Sequence, residues 1–198
     1  GTQNRSGPPF QKARELVRAG RLGKIVSASI NNSRNISPGF GAPPDSAPPP
    51  ELDYDLFLGP APLRPYNRNR SIYHFRWFWD YSGGQMTNLT AHGLDQMLWV
   101  MNVKMPTAVT SMGGRFALED DGETPDTQEA LFEYPGFFLS YAIREVNAHR
   151  EDAATRGLVF HGAKGTMLLA ERSLQVLAES HGDPVNSIPR FLGHPTGG

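Results

Sequence analysis

The residues best suited to chemistry stand in one short run, Gly83-Gly84-Gln85-Met86-Thr87-Asn88-Leu89-Thr90-Ala91-His92-Gly93-Leu94-Asp95. An imidazole exchanges a proton near neutral pH, so His92 is a candidate general acid/base. On a helical wheel Asn88, His92, Asp95 and Trp99 follow i, i+4, i+7 and i+11 and share a face. The opposite side collects Met86, Leu89, Leu94, Met97, Leu98 and Met101, and that side is expected to face a sheet. The amide of Asn88 and the carboxylate of Asp95 would then orient the ring. The competing reading is a solvated helix face on which His92 and Asp95 merely hydrogen-bond. The neighbourhood favours chemistry. Gly83-Gly84 leaves a side-chain-free approach, and the cluster Phe75-Arg76-Trp77-Phe78-Trp79-Asp80-Tyr81 lies directly before it. Trp77, Trp79 and Tyr81 could stack on sugar CH faces while Arg76 donates to hydroxyls, which predicts a polyol pocket. Against this, large aromatic rings are commonly core residues, and at least two of the three are expected to be so.

Other chemistries lack their residues. His92 and Asp95 at i, i+3 could ligate a metal, but two ligands make no site, and no metal is expected. His74, His149, His161 and His181 have no partner at a diagnostic spacing, and His194 lies near the end of the chain. A serine hydrolase would need a Gly-x-Ser-x-Gly elbow, which does not occur. With 0 cysteines, disulfides, thiolate metal sites and thiol nucleophiles are excluded. Neither Gly113-Gly114 nor Gly162 with Gly165 completes G-x-G-x-x-G, so the chain carries no dinucleotide loop. A formal net charge of −1 gives no footprint for nucleic acid or an anionic membrane. No apolar run approaches the roughly 20 residues of a membrane span. A small neutral or weakly charged partner is expected.

A length of 198 residues suits one globular core. Ser6, Pro8 and Pro9 predict a capped helix running to Ala19 with Gly20 as its stop. Lys24 to Asn31 alternates around β-branched residues and reads as a strand. Pro38, Pro43, Pro44, Pro48, Pro49 and Pro50 make residues 37–50 a surface excursion without regular structure. Glu51 to Leu58 is a short helix ended by Gly59-Pro60, Ala61 to Tyr73 a polar loop, and Gln85 to Met101 a helix. Strands are expected at 107–116, 128–134, 137–147, 156–161, 165–170 and, weakly, 174–178, with tight turns at Pro135-Gly136 and Gly162 to Gly165. Ser180 to Gly198 reads as a tail or loop. The pattern is α+β: an open, largely antiparallel or mixed sheet with helices packed on one face.

These residues resemble the Gfo/Idh/MocA family, the glucose-fructose oxidoreductase and inositol dehydrogenase group. Gly20-Arg21-Leu22-Gly23-Lys24 is similar to the end of the helix that closes the family's Rossmann domain. Asp55-Leu56-Phe57-Leu58-Gly59-Pro60-Ala61-Pro62 is similar to its "W-x-x-W-L-G-P-A-P" segment, and Phe75 to Asp95 to its "R-W-x-W-D-x-x-G-G … H-x-x-D" segment. The resemblance implies that residues 1–23 end an NAD(P)-binding Rossmann domain, and that residues 24–198 form a substrate-binding and oligomerisation domain of the dihydrodipicolinate-reductase-like type. It implies NAD or NADP as cofactor, held mainly by the N-terminal domain with Gln3 and Arg5 at its edge. It also implies homo-oligomers through the sheet face and a cytoplasmic setting, with the periplasm as alternative. In the family an Asp-x-x-x-His pair works with a lysine of the nucleotide domain. Here the histidine is His92 and the aspartate position holds Asn88; an amide orients an imidazole without favouring its charged form. Leu89-Thr90 likewise replaces a common Trp-Gly.

The expected reaction is hydride transfer to or from a secondary alcohol of a sugar, polyol or derivative. Catalysis is expected from His92, Asn88 and Asp95, and substrate binding from Arg76, Trp77 and Tyr81. The chain alone is expected to be inactive. Two alternatives are an NAD-dependent glycosidase or lyase of the same fold and a non-catalytic sugar-binding or oligomerisation module.

Overall fold

The computed structural model describes residues 1–149 and 157–179. The expected tail from Ser180, and with it His181 and His194, lies outside them. A 3-10 turn at Gln3–Ser6 leads into helix α1, Pro8–Arg18. Gly7, not Ser6, occupies the N-cap, and prolines fill the first two helical positions, where a backbone N–H would have no partner. Gly20 ends the helix at φ 65°: its N–H bonds to Val17 O, and Arg21 N–H to Leu16 O. This left-handed closure satisfies the last carbonyls.

The sheet holds seven strands among the described residues: β1 (Ile25–Ser33), β2 (Ala108–Gly114), β3 (Thr127–Tyr134), β4 (Phe137–Arg144), β5 (Leu158–Gly162), β6 (Gly165–Ala170) and β7 (Ser173–Ala178). Their order is β2-β3-β4-β1-β5-β6-β7. Only β1 and β4 run parallel; every other pair is antiparallel. The sheet is therefore mixed and open, as the alternating strands predict. Strand β1 runs two residues past the expected Asn31, because Asn32 and Ser33 stay in register with Ile143 and Arg144.

The core lies on one face. Ala28 and Ile30 of β1, Leu139, Tyr141 and Ile143 of β4, Leu158 and Phe160 of β5, and Met167 and Leu169 of β6 meet Phe10 and Ala13 of α1. Met97 and Val100 complete it from α4, Thr90–Met101. Two short helices precede α4: α2, Tyr54–Leu58, capped by Asp53 Oδ1 on Leu56 N at 2.9 Å, and α3, Gly84–Asn88. The expected single helix over 85–101 is thus two, parted at Leu89, and its buried side is Thr90, Gly93, Met97 and Val100. Gly93 sets that side, since a Cβ there would lie 3.0 Å from Ile30 Cδ1 and 3.0 Å from Tyr141 Cε2. The helix approaches the sheet where it has no side chain.

Residues 34–83 form the excursion between β1 and α3, tied down by polar side chains. Asn69 Nδ2 donates to Gly41 O at 2.9 Å and to Asp121 Oδ1 at 2.9 Å, and Asn67 Nδ2 donates to Pro43 O at 2.8 Å. No helix among the described residues is long and apolar enough to cross a membrane.

Candidate active site

A cleft of about 810 Å³ opens where the start of the chain, α4, β1 and the β6–β7 turn meet. Helix α4 presents His92, Gly93 and Gln96 to it, the 3-10 turn presents Gln3 and Asn4, and β1 presents Ile30 to Asn32. Arg172 stands at the turn beside Glu171. His92 is half-buried, and its ring has no hydrogen-bond or ion-pair partner among the described residues. An imidazole with both nitrogens free of protein partners is available to a ligand.

The other expected site residues are distributed around and away from this cleft. Asn88 lies on α3 and donates Nδ2 to Gln85 Oε1 at 2.9 Å. Asp95 pairs with Arg5 at 3.3 Å, and Arg5 also lies over the Trp99 ring at 5.7 Å. Neither Asn88 nor Asp95 is bonded to His92. The wheel that set them on one face assumes a continuous helix, whereas the chain breaks at Leu89 and the Asp95–Trp99 side turns to Arg5 and to Arg14, which stacks 3.5 Å from the Trp99 centroid. Gln3 lines the cleft and is exposed, while the Arg5 side chain keeps 43% of its surface open.

Trp77 faces no cleft. It is 2% exposed, and its indole N–H donates to Glu145 Oε2 at 2.6 Å; the ring is consumed by the core and has no face for a sugar. Glu145 is 0% exposed and also accepts from Arg34 Nε at 2.8 Å. Arg76 lies 4.3 Å over the Tyr73 ring, outside the His92 cleft. Tyr81 lines a separate depression of about 420 Å³ with Phe57, Phe75 and Asp80, and Asp80 is paired with Arg64 at 2.5 Å. Burial, with smaller contributions from Tyr54 and Asp80, pushes the Tyr81 phenol up. Gly84 is no open approach either: it is buried at φ 71°, where a Cβ would meet Thr124 Oγ1 at 2.7 Å.

The structure also shows residues the spacing argument misses. Asn32, at the end of β1, points to the helix side and donates to the buried Tyr141 hydroxyl. Burial pushes that phenol up to about 12, so it stays protonated. Gln96 lines the same cleft one turn after His92. A polar residue at an inward strand position is the available signal for Asn32; Gln96 carries none. No group of three or more His, Asp or Glu side chains fit to hold a metal occurs among the described residues.

Two family descriptions match the sequence: "Oxidoreductase family, C-terminal alpha/beta domain" over residues 9–112 and "GFO/IDH/MocA C-terminal domain" over residues 63–168. No curated protein matches significantly. Among solved structures, the WlbA dehydrogenase from Bordetella pertussis in complex with NADH and UDP-GlcNAcA is 17% identical with a TM-score of 0.59, covering 93% of this chain and 48% of its own. Levoglucosan dehydrogenase in complex with NADH and levoglucosan is 15% identical at TM-score 0.58, with 91% and 43% covered. An oxidoreductase from Thermotoga maritima is 17% identical at 0.57, with 90% and 44% covered. The chain spans less than half the length of each of these proteins. They share its mixed sheet and helix layer. On the family matches and this fold, the chain belongs to the Gfo/Idh/MocA oxidoreductase family and carries its C-terminal α/β domain.

Proposed function

We propose that this chain is the substrate-binding part of an NAD(P)-dependent oxidoreductase acting on a secondary alcohol of a sugar, polyol or derivative, with His92 as general acid/base. The observation that carries the reading is the His92 ring, without a hydrogen-bond or ion-pair partner among the described residues, on a cleft of small-molecule size. Alcohol oxidation must release a proton as hydride leaves carbon. In this reading the hydroxyl proton passes to the His92 ring while the C=O bond forms, and the ring returns it in the reverse direction. Gln3, an exposed amide on the cleft rim, and the half-open guanidinium of Arg5 fit a dinucleotide edge. A bound nicotinamide, NAD or NADP, would supply the hydride acceptor or donor. Residues 1–23 would then border the nucleotide domain. Asn88 bonds to Gln85 and Asp95 pairs with Arg5, and neither is bonded to the ring. Alone, the chain binds substrate without turning it over, since it has no glycine-rich phosphate loop. In the full-length protein His92→Asn is expected to lower turnover by ~10²- to 10⁴-fold. Unchanged turnover with an intact pH profile would remove His92 from this role.

The sheet face away from the helices exposes Leu131 at 46% and Phe138 at 47% beside Ser140. We infer that it pairs with a second copy. Leu131→Lys with Phe138→Glu is expected to halve the mass seen by light scattering; a wild-type chain that is already monomeric would end this reading.

A further inference from the structure

We propose that Asn32 reads a substrate hydroxyl in the His92 cleft, and that the cleft selects neutral polyhydroxy compounds over sugar acids. The inference rests on the site reading above and names its substrate class. The polar side chains that converge there are dominated by carboxamides: Gln3, Asn4, Asn32 and Gln96. A carboxamide offers two donors and an acceptor without net charge, which matches a run of C–OH groups, each both donor and acceptor. A carboxylate would call for a cation instead, with Arg suited to bidentate recognition. Arg172 is the only lining arginine or lysine among the described residues, and its neighbour Glu171 lines the same turn. The described walls therefore give a sugar acid little electrostatic advantage. Asn31 is excluded from the set because its Oδ1 accepts from Ser33 Oγ at 2.6 Å.

Among these amides Asn32 is the one held in place. Its Nδ2 donates to the Tyr141 hydroxyl, and Tyr141 is 0% exposed, with Thr90 as a further polar neighbour. The phenol lies under α4 at the residue after His92, 3.4 Å from where a Gly93 Cβ would stand. Asn32 Oδ1 has no partner among the described residues and is not sealed from solvent. One end of the amide is clamped and the other is without a protein partner among the described residues, on a side chain that lines the same cleft as the candidate base. An acceptor held before the ligand arrives orients a hydroxyl without the entropy cost of ordering a free side chain.

The test is a titration of the isotope-labelled chain with D-glucose, D-sorbitol and sodium D-glucuronate at fixed ionic strength, followed by NMR at the His92 ring and the Gln96 amide. The neutral compounds are expected to shift both signals and to bind at least ~10-fold more tightly than glucuronate. Asn32→Ala should weaken the neutral compounds by ~10-fold, the worth of one hydrogen bond. Tyr141→Phe keeps the ring and frees the amide, and should weaken them by about 3-fold; it carries the test if Asn32→Ala does not fold. Binding unchanged in the folded variants, or glucuronate as the tighter ligand, overturns the inference and leaves the His92 cleft standing. If no compound of either charge moves His92 or Gln96, the site reading falls and takes the inference with it.

Discussion

Around Trp77, segments far apart in sequence exchange their polar groups with one another. Glu145 accepts from Trp77 and Arg34, and Asp126 Oδ2 accepts from the N–H groups of Phe116, Ala117 and Leu118 at 2.9, 2.9 and 3.0 Å. Around His92 the imidazole, the Asn32 carbonyl and the amides of Gln96 and Gln3 have no hydrogen-bond partner among the described residues. Both regions contain amide and charged side chains. The first spends that chemistry on closing the excursion over the sheet; the second keeps it for a ligand. Residue types alone do not separate a structural polar cluster from a binding one. What separates them is how far donors and acceptors are matched inside the protein: around Trp77 both Glu145 oxygens and Asp126 Oδ2 are, although Thr124 Oγ1 and Arg115 Nε stay buried without a partner among the described residues.

This contrast can be broken by substitution. His92→Asn, expected to cost the most activity, should leave the melting temperature almost unchanged, because no hydrogen bond or ion pair among the described residues depends on the ring. A large drop in melting temperature would place His92 in the structural class. Trp77→Phe keeps the apolar packing and removes one donor to the fully buried Glu145. An unmatched buried acceptor costs about 1–3 kcal/mol, which denaturant unfolding would read, while sugar binding at the His92 cleft should hold. Equal stability of that variant would mean that Arg34 alone satisfies the carboxylate.

Much of the sheet is legible from alternation, because β1, β4 and β6 bury one face against a helix layer and the period of two survives in the sequence. Phe137 to Arg144, with Phe137, Leu139, Tyr141 and Ile143 buried, is the plainest case. The two helices before the sheet are less so. Leu89 keeps right-handed helical dihedrals at the break, so nothing in the apolar spacing marks it. The contact that decides which side of α4 is buried is Gly93 against Ile30 and Tyr141, and a glycine adds nothing to an apolar pattern. His92 is legible as a candidate because imidazole chemistry is rare and local. Trp77 is misread as a ligand platform because its partner Glu145 lies 68 residues away, and a pairing of that range leaves no mark on local periodicity. The amide floor is hidden for the same reason: Asn32 and Tyr141 are 109 residues apart and meet only through the parallel pairing of β1 with β4.

The gentlest probe of the matched cluster is acid. Burial by itself would raise the Asp126 carboxyl, but the N–H groups of Ala117, Leu118 and Phe116 and the side chain of Thr127 outweigh it and hold the group below the usual carboxylate range. A carboxyl whose folded value is depressed contributes stability that is fully present above its unfolded value of about 3.9 and is lost as pH falls through the lower folded value. Asp126→Asn keeps one oxygen for the three N–H groups but removes the charge, so it should cost about 1–2 kcal/mol at pH 7. That deficit should shrink as pH falls below about 4, because the wild-type carboxyl is itself being neutralised. Urea unfolding of both proteins between pH 7 and 3 measures the difference directly. A gap that stays constant across that range would show that shape and hydrogen-bond count, and not the carboxylate charge, hold residues 116–118 in place.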